Sequence, residues 1–140
     1  MAKAKKKTLA KVADDCAVKL QLLVRLKAAD QNGNCKCVSC PAVKHWAEMQ
    51  GGHYVGRGVN ATKLLEENVH PQCRRCNLRA TTSHVGYTLF MVETYGLNFI
   101  KVLREMMNES KRWKRSELLD LSSDFDKQIQ YQRERLGIEG

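Results

Sequence analysis

The sequence predicts an α+β fold that is mainly helical, in which a zinc-bound core is flanked by N- and C-terminal helices. Two Cys-x-x-Cys pairs lie mid-chain, apolar residues recur at helical spacing on either side of them, and 140 residues suit one domain. We divide this single domain into a basic tail (1–7), an N-terminal helix (8–29), a zinc-bound core (35–85) and C-terminal helices (86–140).

The first element is a basic tail, in which four of the first seven residues are lysine. The whole chain carries 24 Lys and Arg against 15 Asp and Glu, a net charge of +9. This surplus favours a polyanionic partner, although a lysine run also serves as a solubilising tail. No apolar stretch approaches the ~18 residues of a membrane span, and a signal-peptide core is absent. We therefore expect a cytoplasmic protein without a membrane partner.

The next element is an amphipathic helix from Thr8 to about Ala29, because its apolar residues recur every three to four positions. Cys16 lies on this apolar stripe and is expected in the core. Turn-forming residues, including Gly33, then end the helix.

The central segment contains the paired cysteines, Cys37 with Cys40 and Cys73 with Cys76. Each spacing allows one tight turn to direct two sulfurs at a tetrahedral ion, and borderline-soft zinc suits four thiolates. Two disulfides or a redox motif are the alternatives, but a reducing compartment favours metal. Cys35 could exchange with Cys37, although its spacing to Cys40 is less suitable. A site with four thiolates is structural, because it leaves no open position for water.

The last elements are helices. Two short ones are expected at Tyr87–Tyr95 and from Leu97 to about Asn108, separated by Gly96, and a longer one containing Leu118 runs to the end of the chain. Their apolar faces should pack on the first helix or on another copy of the chain, which would give a homodimer.

The central segment also carries a motif that joins Gly51-Gly-His-Tyr54 to Asn68-Val-His-Pro-Gln72 and Cys73-Arg-Arg-Cys76-Asn77. This pattern resembles the HNH, or ββα-metal, nucleases, and in particular their zinc-containing subset, which includes recombination endonuclease VII. It is most similar to the phage recombination protein family called NinG or Rap. The resemblance implies a treble-clef, ββα-metal core and a phage protein located in the bacterial cytoplasm.

The resemblance also implies roles for individual residues. His53 would be the general base, Asn77 would ligate a catalytic Mg²⁺ at the start of the following helix, and Asn68 would be structural. Related nucleases often place an acid or His where this chain has Gly52, so Asn77 lacks its usual partner. His70 could fill the gap, or His53 could itself bind the ion, which would then favour a transition metal such as Mn²⁺.

Five further residues would contact DNA. Arg57, Arg74, Arg75 and Arg79 border the expected phosphate site, and the guanidinium fork matches phosphate oxygens. Tyr54 would stack on a base or cover the hairpin. The resemblance points to branched DNA, such as Holliday junctions and D-loops.

Two functions follow from these features. The first is a metal-dependent, structure-selective DNA endonuclease that acts on branched recombination intermediates. The second is a zinc-stabilised module that binds DNA or a partner without cutting, and the missing acid at Gly52 favours it. A module of the second kind has no evident need for His53, Asn68 and Asn77 together.

Overall fold

The computed structural model describes residues 6–138, except for the side chains of residues 80 and 81, and has the predicted α+β, mainly helical fold. Residues 1–5 of the basic tail and residues 139–140 lie outside the described part. None of its helices combines the length and apolar character that crossing a bilayer requires. In chain order the elements are α1 (Leu9–Ala28), β1 (Asn34–Lys36), β2 (Val43–His45), β3 (Gln50–His53), α2 (Asn60–Lys63), β4 (Val69–Gln72), α3 (Arg74–Leu78), α4 (Ala80–Tyr95), α5 (Leu97–Met106) and α6 (Arg115–Arg135).

Helix α1 forms as its sequence predicts. The Thr8 hydroxyl caps it by accepting a hydrogen bond from the backbone N–H of Lys11 at 3.1 Å. Its apolar face, which includes fully buried Cys16 and Leu20, packs against Leu118 and Phe125 of α6. The terminal helices therefore pack on each other within one chain, which is the first of the two expected arrangements.

Two antiparallel hairpins lie between these helices. β1 pairs with β2, and β3 pairs with β4 in a register that sets Gly52 opposite His70 and His53 opposite Val69. One face of the second hairpin contacts α1, where a Cβ at Gly51 would lie 2.6 Å from the Gln21 Cβ. The opposite face contacts α4. Because α2 lies between β3 and β4, and α3 and α4 follow β4 directly, the chain order of this unit is strand, short helix, strand, helix.

Two helix boundaries differ from the prediction. α4 begins at Ala80, seven residues before the expected Tyr87, because its first turns carry exposed polar side chains that conceal the helical periodicity. α6 ends at Arg135 and does not continue to the end of the chain, since Gly137 adopts a φ of +69° that a helix cannot contain. Gly96, with a φ of +88°, separates α4 from α5 as expected.

Candidate functional site

The predicted zinc ligands meet at one point. Cys37 and Cys40 come from the turn between β1 and β2, Cys73 precedes α3, and Cys76 lies within α3. Their four sulfur atoms lie within 4.8 Å of one another, and the Sγ atoms of Cys40 and Cys73 are 3.7 Å apart. A tetrahedral ion with Zn–S bonds of ~2.3 Å requires S···S separations of ~3.8 Å. The four cysteines therefore fit zinc and could hold a structural ion.

The surroundings shift the cysteines of the cluster in opposite directions, because burial raises the pKa values of Cys37 and Cys76 while hydrogen bonds favour the thiolate of Cys73. The Cys37 Sγ accepts hydrogen bonds from the backbone N–H groups of Ser39 at 3.4 Å and Cys73 at 3.3 Å. Burial raises the pKa of Cys73, but hydrogen bonds from Cys76 and the other cysteines outweigh it and lower this pKa to about 7. A thiol that ionises near neutrality binds metal readily.

Cys35 is buried beside this cluster but does not belong to it. In the described part of the chain, the sulfurs close enough to share an ion are those of Cys37, Cys40, Cys73 and Cys76 alone. Burial raises the pKa of Cys35 to about 11, as expected of a thiol that serves in packing. The geometry therefore favours packing over ligand exchange for this residue.

His53 lies at the end of β3 with its ring fixed in one orientation. Its Nε2 is 2.9 Å from the carbonyl oxygen of Lys63, and because a carbonyl can only accept, Nε2 carries the proton. The unprotonated Nδ1 is buried and has no hydrogen-bond partner among the described residues. Burial also lowers the pKa of His53, so the ring is neutral at pH 7. The result is an imidazole whose free lone pair can accept a proton.

Asn68 stabilises the loop that leads to Lys63, whose carbonyl oxygen lies 2.9 Å from His53 Nε2. Its side chain is fully buried, and its Oδ1 accepts a hydrogen bond from the Val55 N–H at 2.8 Å. Its Nδ2 donates to the Val55 carbonyl at 3.0 Å and to the Thr62 carbonyl at 3.2 Å. One amide thereby ties both ends of the loop together, directly before Lys63. This is the arrangement that a structural role requires.

Asn77 lies in a different environment from the one expected. It is the fourth residue of α3 and does not begin that helix, since helix formation starts at Arg74, directly after the Cys73 ligand. Its Nδ2 donates to the Gln50 Oε1 at 2.7 Å, which leaves its own amide oxygen available to a hard cation.

The missing acid at Gly52 has a steric explanation. A Cβ at this position would lie 1.7 Å from the Oε1 of Gln72, whose Nε2 donates to the Ser39 hydroxyl at 2.7 Å. Gln72 is buried and occupies the space that an acidic side chain would need. The residues around Asn77 therefore provide amide oxygens where a catalytic Mg²⁺ or Mn²⁺ would prefer a carboxylate, so they fit such an ion only in part.

His70 is not brought together with His53. It pairs with Gly52 on the adjacent strand, so its ring projects to the hairpin face opposite that of His53. Its Nδ1 lies 3.0 Å from the Tyr87 hydroxyl, and its Nε2 lies 2.7 Å from the Tyr95 hydroxyl. Burial lowers its pKa to about 4. With both nitrogens engaged and the ring neutral, His70 is placed for packing and has no free nitrogen for an ion.

The expected DNA contacts divide into two groups. The side chains of Arg57, Arg74, Arg75 and Arg79 are exposed and available to phosphate. Tyr54 instead faces the protein, where it stacks on His84 with ring centroids 4.6 Å apart and hydrogen-bonds the Thr88 hydroxyl at 2.8 Å. Of the two roles considered for Tyr54, the geometry corresponds to covering the hairpin.

Sequence reasoning missed three groups: the Lys63 carbonyl and the side chains of Gln50 and Gln72. Only Gln72 had a detectable signal, because a glycine within a strand often marks the close approach of another group, and Gly52 is such a glycine. The carbonyl and Gln50 act through contacts that spacing alone does not indicate.

The hairpins, the helix that follows them and the four-cysteine cluster define a small α+β protein in which four cysteines could hold a structural zinc ion. The chain belongs to the family described as Bacteriophage Lambda NinG protein, whose sequence profile matches residues 1–134. Membership of this family indicates a role related to phage recombination. Neither the curated proteins nor the solved structures contain a match to the chain.

Proposed function

We propose that this protein is a metal-dependent, structure-selective DNA endonuclease that acts on branched recombination intermediates such as Holliday junctions and D-loops. The observation that carries the proposal is the state of His53. Its protonated Nε2 is held by the Lys63 carbonyl, and its Nδ1 is an unpartnered acceptor. Among the four histidines, His53 alone has a buried ring nitrogen without a partner in the described residues.

In the proposed reaction, His53 Nδ1 accepts a proton from the water that attacks a DNA phosphodiester. The water oxygen forms a new bond to phosphorus, the bond from phosphorus to the 3′ oxygen breaks, and the leaving oxygen takes a proton from solvent. Because Nδ1 is buried, a local opening of the structure has to admit the attacking water. A Mg²⁺ or Mn²⁺ ion, bound by Asn77 and phosphate oxygens, would supply charge stabilisation.

Gln72 favours a second candidate function, a zinc-stabilised DNA-binding module that does not cut. It occupies the position from which an acid at residue 52 would ligate the ion. The two candidates differ in one observable, because only the nuclease leaves nicked strands.

The test is to incubate the zinc-loaded protein with labelled four-way junctions and linear duplex, with and without Mg²⁺ or Mn²⁺. We expect metal-dependent nicking that prefers the junction and is lost in His53→Ala. His45→Ala is the matched control, since the ring of His45 is exposed. Binding without nicking under every metal would refute the nuclease and leave the second candidate. Equal cutting by His53→Ala would show that another residue is the base.

A homodimer is also part of the proposal, because symmetric cutting of a junction is easiest with two active sites related by a two-fold axis. Sedimentation of the protein with and without a four-way junction tests it. A single chain bound per junction that still cuts both strands would exclude this arrangement.

A further inference from the structure

The segment that leads from α5 into the first residue of α6 contains Lys111-Arg-Trp-Lys-Arg115, a basic run that the four-cysteine core does not use. It is held in place by Asn60, the first residue of α2. The Trp113 indole Nε1 donates to the Asn60 carbonyl at 3.1 Å, and the Asn60 Nδ2 donates to the Lys111 carbonyl at 3.3 Å. The Lys111 Nζ lies 4.6 Å from the Trp113 ring centroid. The run is therefore a fixed feature of the fold.

The same run meets the basic N-terminal segment. The Arg115 Nη2 donates to the backbone carbonyl of Lys7 at 2.7 Å, although the two residues are 108 positions apart in sequence. The Lys7 and Lys11 side chains share Asp15, at 2.9 and 3.0 Å. Two basic segments that are distant in sequence thus form one continuous surface.

The loop after β3 adds a third contribution. Asp14, next to Asp15 on α1, accepts a hydrogen bond from the Lys63 Nζ at 2.6 Å, and both Lys63 and Arg57 help to lower its pKa. The Lys63 backbone carbonyl is the group that fixes His53. The basic surface therefore extends to the edge of the proposed catalytic base.

We define the terminal basic surface as the eight side chains on these three segments: Lys6, Lys7, Lys11, Arg57, Lys111, Arg112, Lys114 and Arg115. Carboxylates neutralise part of it, since Asp15 pairs with Lys7 and Lys11, and Glu117 pairs with Lys111. The other five side chains form no salt bridge within residues 6–138. Unpaired Arg and Lys side chains in one fixed patch are what phosphate recognition requires.

We propose that the terminal basic surface binds the sugar-phosphate backbone of a DNA duplex and leads it past His53. This inference rests on the proposed function, because the nuclease proposal supplies DNA as the partner. Phosphate contacts of this kind position DNA without reading its sequence, which agrees with recognition of shape. The surface does not include Arg74, Arg75 and Arg79, which lie in or directly after the second cysteine pair.

The test measures binding of labelled duplex and four-way junction over a series of KCl concentrations. Arg112→Gln/Lys114→Gln is the informative variant, because both side chains are exposed and make no salt bridge within the described chain. Each phosphate contact contributes about 0.9 to the slope of log K against log salt, so the slope should fall by about 2.

The matched control is Lys127→Gln/Arg133→Gln, which removes the same charge from α6. These residues lie 12 and 18 positions beyond Arg115, or roughly 18 and 27 Å along the helix axis. The control should keep the wild-type slope. Zinc content confirms that each variant is folded.

The outcomes separate the two proposals. If wild type nicks DNA but Arg112→Gln/Lys114→Gln keeps the wild-type slope, the terminal basic surface is not the DNA contact and the nuclease proposal stands. If the control lowers the slope by the same amount, the effect is general charge and the inference is wrong. If wild type binds no DNA at any salt concentration, both proposals fail.

Discussion

Replacement of Asn68 by Ala tests the link between the buried amide and the proposed base. The change removes three hydrogen bonds and leaves the Val55 N–H and the Val55 carbonyl without their partner, whereas the Thr62 carbonyl still accepts from the Leu65 N–H at 3.2 Å. At about 1 kcal/mol for each hydrogen bond, the free energy of unfolding should fall by about 3 kcal/mol. Since the loop also fixes the Lys63 carbonyl on His53, any nicking activity should fall with it.

The assay is urea unfolding of the zinc-loaded protein beside nicking of a four-way junction. Asn98→Ala is the control, because Asn98 is exposed on α5 and a surface change is usually within about 0.5 kcal/mol of wild type. Asn68→Asp keeps an oxygen for the Val55 N–H but sets a second oxygen against two carbonyls. The loss of unfolding free energy in Asn68→Asp, relative to wild type, should be smaller in acid, because the protonated carboxyl can donate a hydrogen bond. If Asn68→Ala unfolds within 0.5 kcal/mol of wild type with an unchanged m-value, the reasoning is wrong.

Three further predictions concern the metal, pH and the missing acid. Elemental analysis should give about one zinc per chain. Cys73→Ser should lose both the zinc and the folded structure, whereas Cys35→Ser should keep the zinc. A zinc-free protein that stays folded would contradict this prediction. The pKa of His70 is about 4 in the fold against an ordinary 6.5. Because the unfolded state takes up the proton first, wild type should lose about 3 kcal/mol of unfolding free energy as pH falls from 6.5 to 4, and His70→Gln should lose less. Gly52→Asp should be destabilised by collision with Gln72, and adding Gln72→Ala should restore thermal stability; equal melting temperatures for the single and double variants would reject the collision.

Sequence patterns predicted most of the framework because each pattern had a single physical cause. The helical period of α1 and the two cysteine spacings led to the correct elements and to the correct four sulfurs. The predicted start of α4 was seven residues too late, because polar residues occupy the first turns of this helix, which begins at Ala80. Contacts between segments, such as Gln72 against Gly52, depend on side chains brought together by folding, so no local pattern shows them.

The sequence predicted the types of residue in the candidate site better than the hydrogen bonds that join them. His53 and Asn68 were recognised through a motif, but the carbonyl that fixes the His53 tautomer comes from Lys63, a residue with no motif of its own. The contact between Arg115 and Lys7 likewise joins segments at opposite ends of the chain. Hydrogen bonds to backbone carbonyls leave little trace in sequence, because any residue can supply them.

The pairing of α1 with α6 determines the order in which this protein can assemble. The Cys16 Sγ lies 4.0 Å from the Leu118 carbonyl, and the Arg135 Nη2 donates to the Leu26 carbonyl at 2.9 Å. During synthesis all four candidate zinc ligands are present once Cys76 is made, whereas the part of the apolar face of α1 that packs on α6 has no partner until α6 follows. Metal capture can thus precede closure of the helical core, and until that closure α1 offers an uncovered apolar surface to chaperones or to another chain.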